Sequence, residues 1–353
     1  MISFDVASVD VASARTPEKD DSNNRGTAFD SEGLFWMSTI KLTSDLVDRL
    51  RCPACGGDIT VTENEIHCKS TVCSRGYPIV DGIPVLIDES KCLFTVEEIV
   101  SQHKSFFGSR SKAKEFVWTA LPTLSKNIKA ATNFRCFASL LGDSARVLVV
   151  GAGTEGEGFQ ALRESRIILI ETDISLGPRA NLVCDAHDIP FANETFDGCV
   201  IQAVLQHVVD PYRCVSEIHR VLKPAGLVYA ETPFMQQVHG GRYDFTRFSH
   251  RGHRRLFRYF EEVESGVACG PAMAFAWAYQ YFLICLFRSN FAQNIVFVFA
   301  RLTSFWLKYL DHVLINRPNA LYSASGFYFI GRKVTEPISD KKLVFEYPSA
   351  GSA

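Results

Sequence analysis

From residue 145 to about 262 the chain alternates two textures. Apolar-rich stretches (RVLVV, RIILIETD, FDGCVIQ and AGLVYAET) read as strands, RVLVV as one buried in the sheet. The amphipathic stretch PYRCVSEIHRVLKP reads as a helix between the last two. Alternation of this kind predicts an α/β fold, a Rossmann-like, seven-stranded, mostly parallel sheet with helices on both faces. GFYFIGRK, near residue 330, reads as a late strand. Upstream the pattern changes. Residues 50–88 carry Cys, Gly and Pro turns between short apolar runs such as YPIVDGIPVLID, the texture of a small β module. Residues 95–140 read as helices of mixed charge.

Two segments depart from this rhythm. Residues 1–36 are rich in Ser, Asp, Asn and Ala without apolar periodicity, which predicts a disordered tail. Met37 directly precedes the first amphipathic stretch, STIKLTSDLVDRL, and is a candidate start of translation. The second segment, 272–312, is apolar and aromatic, and no charged residue stands between Ser265 and Phe287. Three readings compete for it: a lid over a pocket or a dimer interface, a hairpin lying in a membrane interface, or a span. The expected organisation is a tail (1–36), a cysteine-rich module (37–90), a catalytic domain (95–335) and a C-terminal tail (336–353).

The composition, 47% hydrophobic and 22% charged over 353 residues, is that of a globular chain. A net charge of −2 supplies no global field for nucleic acid, which makes such a partner unexpected. The N-terminus lacks the basic-then-apolar run of a signal peptide. Of the eleven cysteines, four cluster at metal-ligand spacing and most others fall in apolar elements, so a cytoplasmic, reducing environment is expected, with peripheral contact to a membrane's inner face if 272–312 lies on one.

Cys52 and Cys55 form one knuckle, with Gly56 and Gly57 turning the chain beneath it, and Cys68 and Cys73 follow about a dozen residues later. Thiolates on two tight turns can converge tetrahedrally on Zn²⁺. The second pair is wider than the usual two-residue spacing, and His67 is a spare ligand candidate. A module so poor in apolar residues would draw its folding energy from the metal. With RGYPIVDGIPVLID closing it, residues 52–88 resemble the zinc-ribbon module of the small activating partner of tRNA and protein methyltransferases.

VLVVGAGTEGEG places Gly151, Gly153 and Gly156 directly after a strand, where backbone can approach a ligand and a helix offers its first amides. An acid about 20 residues on should take ribose hydroxyls. Asp173 stands there, with Glu171 as neighbour and alternative. Alone, this turn also suits a dinucleotide. The stretch that follows, VCDAHDIPFANETFDGCVIQAVLQHVVDPYRCVSEIHRVLKPAGLVYAETP, resembles class I S-adenosylmethionine (SAM)-dependent methyltransferases related to the ubiquinone and menaquinone C-methyltransferases. The resemblance covers roughly residues 145–262. It implies a methyltransferase using SAM, with Asp185-Ala186 meeting the adenine, Asp197 leading into the fourth strand and His207 following it. The implied cofactor set is Gly151, Ala152, Gly153, Gly156, Asp173, Ile174, Asp185, Ala186 and Gln202. Two positions depart from the family: Val149 where an acid is usual, and Glu155 where a glycine is usual. By the same comparison, 272–312 is an insertion between the last two strands.

The loop FMQQVHGGRYDFTRFSHRGHRRLFRYF follows the fifth strand, on the ligand side of such a sheet. Similar loops cap the active site in related methyltransferases. His239, Asp244 and His207 are the candidate bases for a hydroxyl acceptor, although His207 could simply pack beside the cofactor and Asp244 could pair with Arg247. Arg242, Arg247, Arg251, Arg254, Arg255 and Arg258, with His250 and His253, could receive a phosphate or carboxylate on the acceptor, or form a solvated face. A small metabolite, a sugar or a lipid-linked molecule is the expected acceptor, and a homodimer is a possible assembly. An RNA-modifying enzyme and a non-catalytic adaptor using the ribbon are the alternatives.

Overall fold

The computed structural model describes residues 40–101 and 121–345. The expected tail at 1–36 and the start at Met37 lie outside the described residues, as do 102–120 and 346–353. Of the helices expected at 95–140, Val96–Ser101 and Ala130–Leu140 are present. The presumed C-terminal tail contains a short helix, Asp340–Phe345, tied back by Arg255 Nε to Asp340 at 3.2 Å.

Among the described residues one sheet of eleven strands organises the chain. In the cysteine-rich part, β1 (Ile59–Val61), β2 (Glu65–Cys68), β3 (Gly76–Val80) and β4 (Ile83–Leu86) form an antiparallel meander. The main body adds β5 (Arg146–Val150), β6 (Ile168–Asp173), β7 (Leu182–Cys184), β8 (Phe196–Gln202), β9 (Leu222–Pro233), β10 (Phe260–Cys269) and β11 (Gly326–Lys333). The order is β1-β2-β3-β4-β7-β6-β5-β8-β9-β11-β10. β5 to β9 run parallel, while β11 lies antiparallel between β9 and β10.

The expectation of a seven-stranded sheet with a separate ribbon is corrected here. The seven strands of the main body are present, but the sheet continues through the cysteine module. β4 lies parallel to β7, with Val85 opposite Val183 and Leu86 opposite Cys184. The reason is that β7 is a three-residue, fully buried strand whose outer backbone groups would otherwise form an open edge. The equally buried IPVL run of β4 satisfies that edge.

The pleat divides the core. Val147 and Val149 pack on one face with Phe134, Phe137 and Tyr229. Leu148 and Val150 face the other way, toward Phe191, Phe196 and Ile218. That second cluster also contains Cys52, Ile66 and Tyr77, so the ribbon shares the core of the main body. The Pro211–Val221 helix covers this face. Asp210 caps it by accepting from Arg213 N at 3.1 Å, Pro211 opens it, and Cys214, Val215, Ile218 and Val221 make its buried stripe. The helix stops at Val221, three residues earlier than its pattern suggests. Leu222 already pairs with Phe196, and Ala225 turns the chain at φ 60°.

Between β10 and β11 stand two helices, Pro271–Cys285 and Asn290–Ser304, then shorter turns to residue 323. Among the described residues no helix is long and apolar enough to cross a membrane, which removes the spanning reading of 272–312. Each helix has 15 residues, about 22 Å of rise against a hydrocarbon core of ~30 Å.

Candidate active site

Parallel strands in a doubly wound sheet bind ligands beyond their carboxyl ends, where the strand order reverses. Here that point lies between β5 and β8, and a cavity of about 300 Å³ opens there. Its walls include Gly151, Gly153, Gly156, Asp173, Ile174, Asp185, Ala186, Gln202, His207 and His239. Residues predicted separately for cofactor and for chemistry thus share one space. Ala152 is buried behind the glycine turn and does not reach it.

The glycines are required by what faces them. Gly151 sits at φ +81°, and a Cβ there would lie 2.2 Å from Val204 Cγ2. A Cβ on Gly156 would lie 2.0 Å from Gln202 Oε1. Gly153 N donates to Asp173 Oδ2 at 2.7 Å, which points that carboxylate at the turn, while Ser175 donates to Oδ1 from its amide (2.9 Å) and hydroxyl (2.6 Å). Geometry separates Asp173 from Glu171. The Glu171 carboxylate is held by Arg163 Nη2 at 2.7 Å and is not on the cavity wall.

Glu155, standing where the family usually has glycine, is drawn aside by Arg163 (3.0 Å) and Arg179 (2.8 Å). The acid at this position is thus neutralised by two guanidiniums. Val149, the other departure, is buried in the core.

At the adenine end of the expected cofactor set, Asp185 is fixed by its neighbour. His187 N donates to Oδ1 at 2.9 Å and the ring Nδ1 lies 2.6 Å from the same oxygen. His187 Nε2 accepts from Asp210 N at 3.1 Å, which assigns the proton to Nδ1. Burial would raise the Asp185 carboxyl, but the hydrogen bonds from His187 outweigh it and hold the group below the usual carboxylate range. Asp197 lies at the opposite end of β8, accepting from Arg146 N (2.9 Å) and Lys223 Nζ (2.7 Å), a structural tie.

The cavity also has a polar wall that the sequence reading missed. Glu231, at the end of β9, is buried and accepts from Gln202 Nε2 and Asn127 Nδ2, each at 2.8 Å, and from Tyr229 Oη. Burial raises its carboxyl above the ordinary range even against these donors. The available signal was the acid in AETP at a strand's carboxyl end, but two of its three partners, Gln202 and Asn127, come from distant segments.

On the acceptor side, His207 and His239 meet edge to face with ring centres 5.1 Å apart. His207 Nδ1 donates to Tyr243 O at 2.9 Å and His239 Nδ1 to Gln237 O at 3.2 Å, leaving Nε2 as the lone-pair nitrogen in each. Burial lowers both; for His239, burial and the neighbouring His207 bring it to about 4. Both rings are neutral at pH 7. Asp244 is not brought to the cavity wall. It accepts from His239 N at 2.9 Å and from both Arg247 Nη atoms, one at 2.8 Å. Burial opposes ionisation, but Arg247 and the His239 amide hold it near 2, too acidic for a base. The structure therefore makes Asp244 the strut that sets His239.

Most of the basic run is spent on the fold, while Arg251 is exposed. Arg254 is buried, paired with Glu262 at 2.9 Å and bonded to the carbonyls of Phe257 and Phe260. Arg255 and Arg258 reach Asp340, and Arg242 stacks on Tyr243. His253 is packed among Phe248, Phe257 and Phe329. These side chains do not converge on an anion site.

The four ribbon cysteines do converge, with all four sulfurs within 4.8 Å of one another. Cys52 and Cys73 are 3.7 Å apart, Cys55 and Cys68 3.5 Å. Tetrahedral Zn–S bonds of about 2.3 Å require sulfur separations of roughly 3.8 Å. Tyr77 Oη lies 3.1 Å from Cys52 Sγ and Ser70 N donates to Cys68 Sγ at 3.4 Å, the outer bonds that steady a thiolate set. A Cβ on Gly57 would crowd Cys55 Sγ at 3.2 Å. His67 instead pairs with Glu65 at 3.1 Å and is outside the cluster.

The sheet order, the glycine turn and the acids at the strand ends are those of a nucleotide-binding Rossmann-like α/β domain, and residues 148–230 match the family model described as a methyltransferase domain. Among curated proteins, the chain is similar to a demethylmenaquinone methyltransferase of Clavibacter sepedonicus, 30% identical over 140 residues that cover 36% of this chain and 56% of that protein. It is also similar to the ubiquinone/menaquinone biosynthesis C-methyltransferase UbiE of Bordetella avium (strain 197N), 32% identical over 116 residues, 31% of this chain and 44% of that protein. The chain thus spans about half the length of the curated relatives it matches. Among solved structures, a Burkholderia thailandensis 1,6-didemethyltoxoflavin-N1-methyltransferase aligns at 16% identity and a TM-score of 0.38, over 77% of this chain and 99% of that one.

Proposed function

We propose that this chain transfers a methyl group from SAM to a small or lipid-linked acceptor held in the 300 Å³ cavity. The observation that carries the reading is that the glycine turn, Asp173 and Asp185 line the same cavity as the neutral imidazoles His207 and His239. When bound, SAM supplies an electrophilic methyl on a sulfonium sulfur. Gly151 and Gly156 admit it to the backbone, Asp173 accepts its ribose hydroxyls and Asp185-Ala186 meets its adenine. Glu231, Gln202 and Asn127 form the polar wall, where a cationic amino group would be received.

On the other side Phe94, Tyr243, Met273 and Phe327 enclose the acceptor in an apolar wall. Holding it in line accounts for much of the rate, up to ~7–11 kcal/mol. A proton leaving an acceptor O–H or activated ring C–H passes to Nε2 of His239 or His207, both neutral and able to accept it. The named relatives act in quinone biosynthesis, which supports an apolar ring acceptor. The four cysteines would hold a structural Zn²⁺, since four thiolates leave no open position.

The test is calorimetric titration with S-adenosylhomocysteine, run beside NADH and repeated on Asp173→Ala. Micromolar binding of S-adenosylhomocysteine alone, lost in the variant, is the expected result. Binding of NADH, or of neither, overturns the reading.

A further inference from the structure

Among the described residues, the insertion between β10 and β11 carries an apolar face that nothing covers. The Pro271–Cys285 helix is apolar around its whole circumference, a composition that belongs to a helix covered on all sides. One side is covered: Ala272, Met273, Ala276 and Trp277 pack into the body. The other is open, with Phe275 61% and Phe282 65% exposed. On the Asn290–Ser304 helix the exposed apolar residues are Phe291, Ile295, Phe299 and Leu302, a single stripe at helical spacing. Trp306, Tyr309 and Val313 continue exposed apolar surface past its end. Soluble monomers rarely leave patches of this extent bare.

Charge selects what covers it. From Ser265 to Ser325 the sequence has one acid, Asp311. It is buried, accepting from Ala272 N and Met273 N at 2.9 Å each, where it caps the first helix. The exposed surface of the segment therefore has no carboxylate, while Arg288 at the turn between the helices and Arg317 beyond the last are exposed. A second copy of this face would bring cations and no acids against them. An anionic lipid surface supplies both the apolar layer for the Phe stripe and the phosphates for the arginines.

We infer that the 271–313 hairpin docks, without crossing, on the interface of an anionic lipid bilayer. The same element reaches the cavity, because Met273 lines it and Trp277 Nε1 donates to Ser125, another wall residue, at 3.3 Å. Docking does not depend on the methyl-transfer reading, which the S-adenosylhomocysteine titration tests on its own.

The experiment is flotation of the full chain with vesicles of phosphatidylcholine alone and of phosphatidylcholine with phosphatidylglycerol. The wild-type chain should float with the anionic vesicles, and less so as salt is added. Phe291→Glu and Phe299→Glu should each lose roughly tenfold or more of vesicle partitioning, as the loss of one buried aromatic ring requires. Arg288→Gln should narrow the difference between the two vesicle types. Unchanged thermal midpoints in these exposed variants would show that folding is intact. No flotation, or flotation indifferent to both Phe variants, overturns the inference. So does sedimentation showing a dimer that Phe291→Glu dissociates, which would assign the face to a second copy.

Discussion

Gly156 and Gln202 touch so closely that a single added Cβ would stand 2.0 Å from the amide oxygen. Gln202 cannot simply withdraw, because its nitrogen donates to buried Glu231 at 2.8 Å. Gly156→Ala should therefore push the amide off Glu231. We expect a loss of about 1–3 kcal/mol, from strain and a weakened buried acceptor, seen as a lower thermal midpoint. S-adenosylhomocysteine affinity should fall with it.

Asp173 is steadied by three donors yet faces the cavity. Asp173→Ala should weaken S-adenosylhomocysteine binding by roughly 1.5–3 kcal/mol, about tenfold to a hundredfold, since hydrogen bonds to a charged acceptor are lost. Glu171→Gln, behind the turn, should weaken it far less and instead lower stability by releasing Arg163. Titration of both variants separates the two acids.

Burial lowers both His239 and His207, so either ring is a neutral base at pH 7. His239→Ala should lower kcat by roughly 10²–10⁴ if it takes the acceptor's proton. With its pKa at about 4, the base form persists through neutral pH, so the rate should decline only as pH falls toward that value. Asp244→Asn should also reduce the rate, acting through the position of His239. A pH profile and kcat measured against the identified acceptor check all three statements.

Stability should fall in mild acid. Burial lowers His239 and His250 to about 4 and His253 to about 3, from an ordinary 6.5. Between the lowered and ordinary values the unfolded chain binds more protons than the folded one, so stability rises with pH there and is lost as pH falls below about 6.5. Each group contributes a slope of at most about 1.4 kcal/mol per pH unit. Denaturant midpoints measured from pH 7 to pH 4 should drop, and less steeply in His253→Phe, which fills the same aromatic nest.

Metal removal should reach beyond the ribbon. Because β4 carries the edge of β7, and Cys52, Ile66 and Tyr77 share a core cluster with Leu148 and Ile201, a chelator should lower the thermal midpoint of the whole chain. Cys52→Ser should do the same and release zinc, as read by metal analysis. An unchanged midpoint after complete zinc loss would show that the ribbon's packing stands without it.

Much of this was legible along the chain because its causes are local. RVLVV is a central strand since four apolar residues in a row, Val147 to Val150, suit burial on both faces. The glycine turn and the acid 20 residues on follow from what a nucleotide demands of adjacent segments. The cysteine pairs announce a ligand set by spacing alone. What the tertiary structure decided depends on residues far apart. Nothing in IPVL states that it will lie beside Leu182–Cys184, because backbone pairing carries no side-chain label. The wall of Asn127, Gln202 and Glu231 exists only where a loop meets the ends of two strands. Arg247, Arg254, Arg255 and Arg258 read as a receptor and turned out to be ties, since a guanidinium looks the same in sequence whether its carboxylate belongs to a ligand or to Asp244, Glu262 and Asp340. Periodicity and spacing determine elements and ligand sets; which faces meet, and which charges are already paired, is a property of the packed chain.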